Sequence, residues 1–140
     1  MITSVFLLAA FTNPGVASDP PTDLVIVSRR ARGGEERFLK YARKFEITPD
    51  KAQDIVERYR GALPADERAP LAKLIGMVNE EYIFSYPRKG ADFSLVGYRV
   101  HARTGAARWV SLEDVRAQYG DLFPDGHVEA RDRPKYDLRD

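Results

Sequence analysis

The stretch Glu81 to Val110, EYIFSYPRKGADFSLVGYRVHARTGAARWV, constrains the fold more than any other part of the chain. It reads as three short strands joined by two turns. Tyr82, Phe84 and Tyr86 alternate with Ile83 and Ser85, the period-two pattern of a strand. A polar turn follows over Pro87 to Asp92, containing Arg88 and Lys89. Phe93 to His101 is the second strand, with Val96, Tyr98 and Val100 on one face and Leu95, Gly97, Arg99 and His101 on the other. Arg103-Thr104-Gly105 is a short hairpin connection in which Gly105 can take a positive φ. Ala106 to Val110, carrying Trp109, is the third strand. Connections this short make the pairing antiparallel, because a parallel pair needs a crossover of about a dozen residues or more.

Ahead of this stretch the pattern is helical. Over Glu35 to Phe45, the residues Phe38, Ala42 and Phe45 recur on one face, widened by Leu39 and Tyr41. Glu35 and Glu36 open the segment and Arg43 and Lys44 close it, as the helix dipole favours. Thr48 is suited to cap a second helix with Pro49 at its first position. Ala52, Ile55, Val56, Tyr59 and Leu63 line its face, and Gly61 with Pro64 ends it. The spacing of Leu71, Leu74, Ile75 and Val78 predicts a third helix over Asp66 to Val78, with Pro70 in its first turn or kinking it. After the strands, Ser111 caps a last helix and Asp114 completes a short-armed capping box. Leu112, Val115 and Tyr119 point one way, and Gly120 stops it.

The ends differ from the middle. Val5 to Phe11 is an apolar run, followed by Asn13-Pro14-Gly15, the small residues Val16-Ala17-Ser18, and Asp19-Pro20-Pro21. This is the layout of a secretory signal cleaved after Ala17 or Ser18, although no Lys or Arg precedes the run. The run falls short of the roughly 20 residues that span a bilayer. Leu24 to Val27 is a strand or the beginning of the next helix, and Ser28 to Gly34 is a basic loop. Charges of both signs crowd Glu129 to Asp140 with little apolar content, so disorder is expected from Asp121 onward, with Leu122 and Phe123 able to pin its start. The expected organisation is a signal peptide (1–18), a linker and basic loop (19–34), one domain (35–120) and a charged tail (121–140). The fold class is α+β: N-terminal helices on one face of a small three-stranded antiparallel sheet, then a short C-terminal helix.

Several chemistries are disfavoured. The chain has no cysteine, which removes disulfides, thiolate metal sites and a Cys nucleophile together. Its formal net charge of +1 gives no global attraction to nucleic acid or an anionic membrane. The histidines are His101 and His127, and the HExxH pattern is absent, so no metal or cofactor is expected. Ser85, Ser94 and Ser111 sit in no Gly-x-Ser-x-Gly elbow. Glu80 and Glu81 are neighbours entering a strand and so point to opposite faces. Gly33-Gly34 lacks a phosphate-cradling pattern.

One basic and aromatic constellation remains: Arg88, Lys89, Tyr98, Arg99, His101, Arg103, Arg108 and Trp109. Tyr, Trp and Arg dominate the hot spots of protein interfaces. The same set on a sheet also suits single-stranded nucleic acid, and equally a core of aromatics beneath solvated arginines. The sequence therefore predicts a non-catalytic binding or inhibitory protein of the bacterial cell envelope, periplasmic or secreted, whose partner is a protein. An intracellular nucleic-acid-binding domain is the alternative if residues 1–18 are not a signal. A small hydrolase centred on His101 requires that residue to lie in a cleft beside a carboxylate.

The run ending in YRVHARTGAARWV, with Thr104-Gly105 at its turn, loosely resembles the PepSY-type module over roughly residues 65–110. The aspartate usual before that turn is absent. The resemblance implies a helix before a hairpin in a small exported or membrane-anchored domain that inhibits or regulates and has no active site. The layout is also similar to small secreted bacterial inhibitor and immunity proteins.

Overall fold

The computed structural model describes residues 24–87 and 93–128. The expected signal segment, the Pro-rich part of the linker, Arg88 and Lys89, and the chain from Glu129 lie outside the described residues. In chain order the elements are β1 (Ile26–Ser28), α1 (Gly34–Ala42), α2 (Pro49–Ala62), a 3-10 turn (Ala65–Glu67), β2 (Leu74–Val78), β3 (Glu81–Phe84), β4 (Phe93–Ser94), β5 (Gly97–His101), β6 (Ala107–Val110), α3 (Leu112–Tyr119), a second 3-10 turn (Gly120–Leu122) and β7 (His127–Val128).

The class is α+β, but the sheet is larger than the sequence suggested. It has five strands in the order β1-β2-β3-β5-β6, every pair antiparallel, and β4 pairs with β7 in a separate two-stranded ladder. The helix expected over Asp66 to Val78 does not form. Pro70 disfavours a helical conformation in the residue before it, and Leu74–Val78 becomes a central strand instead. Its two faces are both covered, so Ile75 and Val78 pack into one core while Met77 packs into the other. A strand buried on both sides shows a continuous apolar run rather than alternation, and such a run mimics helical spacing. Gly76 interrupts it further, with φ of 153° beside a register shift, where a side chain would collide with the Val27 carbonyl.

The register sorts the side chains into two cores. Val27, Met77, Tyr82 and Val100 stand in one row across the sheet and pack against Phe38 and Ala42 of α1 and Ala52 and Val56 of α2. Ile26, Ile75, Ile83 and Val110 pack on the other side with Val115 and Tyr119 of α3, Phe93, Phe123 and Val128. The molecule is thus three layers, not helices on one face only. Residues 121–128, expected as the start of a disordered tail, close the second core: Phe123 and Val128 are buried. Leu24 is buried as well, so the part of the expected linker from Leu24 to Ser28 is a core segment and edge strand.

Local sequence rules account for the helix starts. The Thr48 hydroxyl accepts the Lys51 N–H at 3.2 Å, ahead of Pro49. The Ser111 hydroxyl accepts the Asp114 N–H at 3.1 Å, and the Asp114 carboxylate accepts the Ser111 N–H at 2.9 Å, completing the box.

Candidate functional site

The candidate residues that the structure describes gather at the β5–β6 hairpin, in four different situations. Tyr98 and Arg99 are only about 1% exposed and so serve the interior, not a partner. This corrects their expected role as contact residues. Tyr98 faces the helices, its hydroxyl donating to the Ala69 carbonyl at 3.1 Å. Arg99 lies on the opposite face beneath the second core, donating to the Leu95 carbonyl at 2.9 Å and to the Glu81 carboxylate at 3.2 Å. The strand alternation placed the two on opposite faces correctly. It could not show that both faces are covered.

Arg103 and Arg108 reach solvent, with side chains 58% and 52% exposed, yet both are tied to acidic neighbours. Arg108 makes two bonds to Glu81, from Nε at 3.1 Å and Nη2 at 2.9 Å. Arg103 Nε donates to Glu80 at 3.0 Å. Burial pushes the Glu81 carboxyl up, but the bond from Arg108 and the charges of Arg99 and Arg108 outweigh it and hold the group below the usual carboxylate range. The same bond raises Arg108. Three guanidinium groups therefore share two carboxylates across this end of the sheet.

His101 lines a cleft with Tyr41, Asn79, Glu80, Glu81 and Arg108. Its Nδ1 accepts the Arg103 N–H at 3.1 Å, and its Nε2 stands 3.9 Å from the Glu80 carboxylate, beyond hydrogen-bond range. The Nδ1 lone pair is thus occupied, and the Glu80 carboxylate is held by Arg103. None of the described serines lines this cleft: Ser85 donates to the Ser94 carbonyl, Ser94 to the Val96 carbonyl, Ser111 caps α3, and the Ser28 hydroxyl accepts the Arg30 N–H. The described residues contain no group of three or more His, Cys, Asp or Glu able to hold a metal ion. The cleft thus sets an imidazole near a carboxylate without a hydrogen bond between them.

Trp109 is different. It is 40% exposed on β6, the last strand of the sheet, and its ring meets Tyr98 edge-on at 4.9 Å. Tyr98 in turn meets Tyr59 of α2 at 6.2 Å, so a ladder of rings holds the indole in position. An apolar recess of about 380 Å³ lies beside it, bordered by Pro70, Phe84, Gly97 and Leu112.

The backbone of β6 adds a feature that side-chain patterns do not report. The His101 N–H donates to the Ala106 carbonyl at 2.8 Å, which sets the phase of the β5–β6 ladder. Residues that face each other then alternate between bonded and non-bonded pairs. Arg108 and Val110 turn their peptide groups toward β5, whereas Ala107 and Trp109 turn theirs outward. Among the described residues none of these outward groups meets a hydrogen-bond partner. At the opposite edge the start of α1 lies against the Ser28 carbonyl, where a side chain on Gly34 would collide with it. Among the described residues the β6 edge of this sheet is open, and it was not identified in the sequence because edge position follows from strand order.

These features define an α+β domain with an aromatic and basic sheet edge. No protein-family model, curated protein or solved structure matches the chain. Thr104 and Gly105 lie in the turn between β5 and β6.

Proposed function

We propose that the chain is a non-catalytic binding or inhibitory protein of the bacterial cell envelope, and that its protein partner lands on β6 and the adjoining hairpin turn. The observation that carries this reading is Trp109, a large aromatic held half-exposed by buried Tyr98 on an open sheet edge, flanked by exposed Arg108. Tyr, Trp and Arg are the residues that most often anchor protein interfaces, and an anchor already fixed by packing loses little entropy on binding. Arg103 at the turn extends the surface, and His101 borders it. Phosphate recognition is less well served, because a nucleic-acid backbone needs several free cations together, and here Arg99 is buried and Arg103 is engaged by Glu80. Export is supported by the apolar run and small residues before Asp19.

Two measurements test this. Replacing Trp109 with a photo-reactive aromatic amino acid in the native host should give one discrete protein adduct on illumination, while the same replacement at exposed Glu57 of α2 gives none. Equal labelling at both positions, or no adduct at position 109, contradicts the surface. Intact mass of the protein from its host should show loss of about 17 or 18 residues, and a full-length cytosolic chain contradicts export.

A further inference from the structure

The surface above, taken as the binding site, also carries a mode of binding. We propose that β6 receives an extended segment of the partner as an added strand, and that this segment presents an acidic residue to Arg108 between two apolar residues. The proposal rests on the reading of β6 as the interaction surface and adds the geometry and chemistry of what docks there.

The argument begins with the backbone. An outward N–H and C=O at Ala107 and another pair at Trp109 form the repeating half of a ladder, and an incoming strand can complete it. Main-chain bonds of this kind bind any extended chain, so selectivity comes from the side chains on the two faces. On the helix side, Ala107 and Trp109 present a small and a large apolar surface next to the recess bordered by Phe84 and Leu112. Apolar residues of the incoming strand match them. On the other side stands Arg108, between those two positions. Glu81 takes only two of its N–H groups and Asp114 adds a second negative charge nearby, yet the Arg108 side chain stays 52% exposed, so it keeps N–H groups that a further carboxylate can reach. A cross-strand carboxylate opposite Arg108 is favourable and a like charge is not.

That last point decides between a partner and a second copy. Two copies pairing through β6 so that Ala107 bonds to Trp109 in both directions place Arg108 directly opposite Arg108. Charged residues in the middle of an edge strand are a common barrier to such self-pairing. A strand of alternating apolar and acidic residues meets no such barrier.

The test uses the full chain and three short synthetic peptides: alternating valine and glutamate, alternating valine and lysine, and the glutamate peptide with a central proline. In amide-resolved NMR titrations the glutamate peptide is expected to shift the Ala107 and Trp109 amides and slow their exchange, with Arg108 and Val110 little changed. It should bind at least about tenfold more tightly than the lysine peptide, and the proline peptide should not bind. Ala107→Pro removes one outward N–H that the fold does not use, a place where proline is tolerated, and should abolish binding. Arg108→Glu should reverse the preference toward the lysine peptide, which keeps the test decisive if Ala107→Pro perturbs the hairpin. No response at Ala107 and Trp109, or equal binding of the glutamate and lysine peptides, overturns the proposal. Ala107 and Trp109 amides already protected in the free protein overturn it too, because the edge is then taken by the chain itself or by a second copy. If position 109 yields a crosslinked partner that Ala107→Pro still captures, the surface stands and strand addition fails. If the peptide docks as expected and no crosslink forms, strand addition stands and the envelope-partner reading fails.

Discussion

Glu81 holds two guanidinium groups at once, one buried and one exposed, and this makes it the most consequential single carboxylate in the described structure. Glu81→Gln removes the charge that compensates Arg99 and should cost about 3 kcal/mol, the range for breaking one partner of a buried pair, measured by denaturant unfolding. The same contact predicts an acid limb. The folded-state carboxyl of Glu81 sits below its ordinary value, so its stabilisation is complete above that ordinary value, about 4.3, and is lost as pH falls through the depressed one. Stability should therefore drop below about pH 4.5, and Glu81→Gln should lack this part of the drop. Asp114, lowered by its bonds to Ser111, acts in the same direction. At this scale the sequence showed which residues alternate but not which are covered. Arg99 was read as an exposed contact because nothing local in YRVHA reveals that α3 and Phe123 lie over that face.

Among the elements, β2 separates what a local reading can see from what it cannot. The caps at Thr48 and Ser111 were legible because a cap is decided by side chains within three residues of the helix start. The β5–β6 hairpin was legible because its turn is short and contains Gly105. The strand at Leu74–Val78 was not, since burial on both faces erases the alternation that marks a strand. Two glycines give opposite predictions. Gly76→Ala puts a methyl group into the Val27 carbonyl at a φ that suits glycine and should cost more than about 2 kcal/mol. Gly61→Ala, in α2 with open space around it, should instead gain about 0.5–1 kcal/mol. Thermal unfolding of the two variants beside the parent protein checks both signs.

For the whole molecule, the second core is closed by the segment read as a tail. Phe123 packs with Tyr119, ring centroids 5.6 Å apart, and Val128 joins the same cluster. Phe123→Ala should destabilise by about 3–4 kcal/mol, whereas a disordered tail position would change nothing measurable. The sequence divided the chain by composition: Leu122 and Phe123 were read as able to pin the start of the tail, while the charge-rich end hid Val128, which the small β4–β7 ladder draws inward. With both faces of the main sheet covered and one edge abutted by α1, the proposed interaction surface lies not on a sheet face but at the β6 edge, which is open among the described residues. Amide hydrogen exchange in the free protein tests this most directly. The account predicts rapid exchange at Ala107 and Trp109 and strong protection at Arg108 and Val110, alternating residue by residue along one strand. Uniform protection across all four would contradict it, because the edge on which binding depends would already be filled.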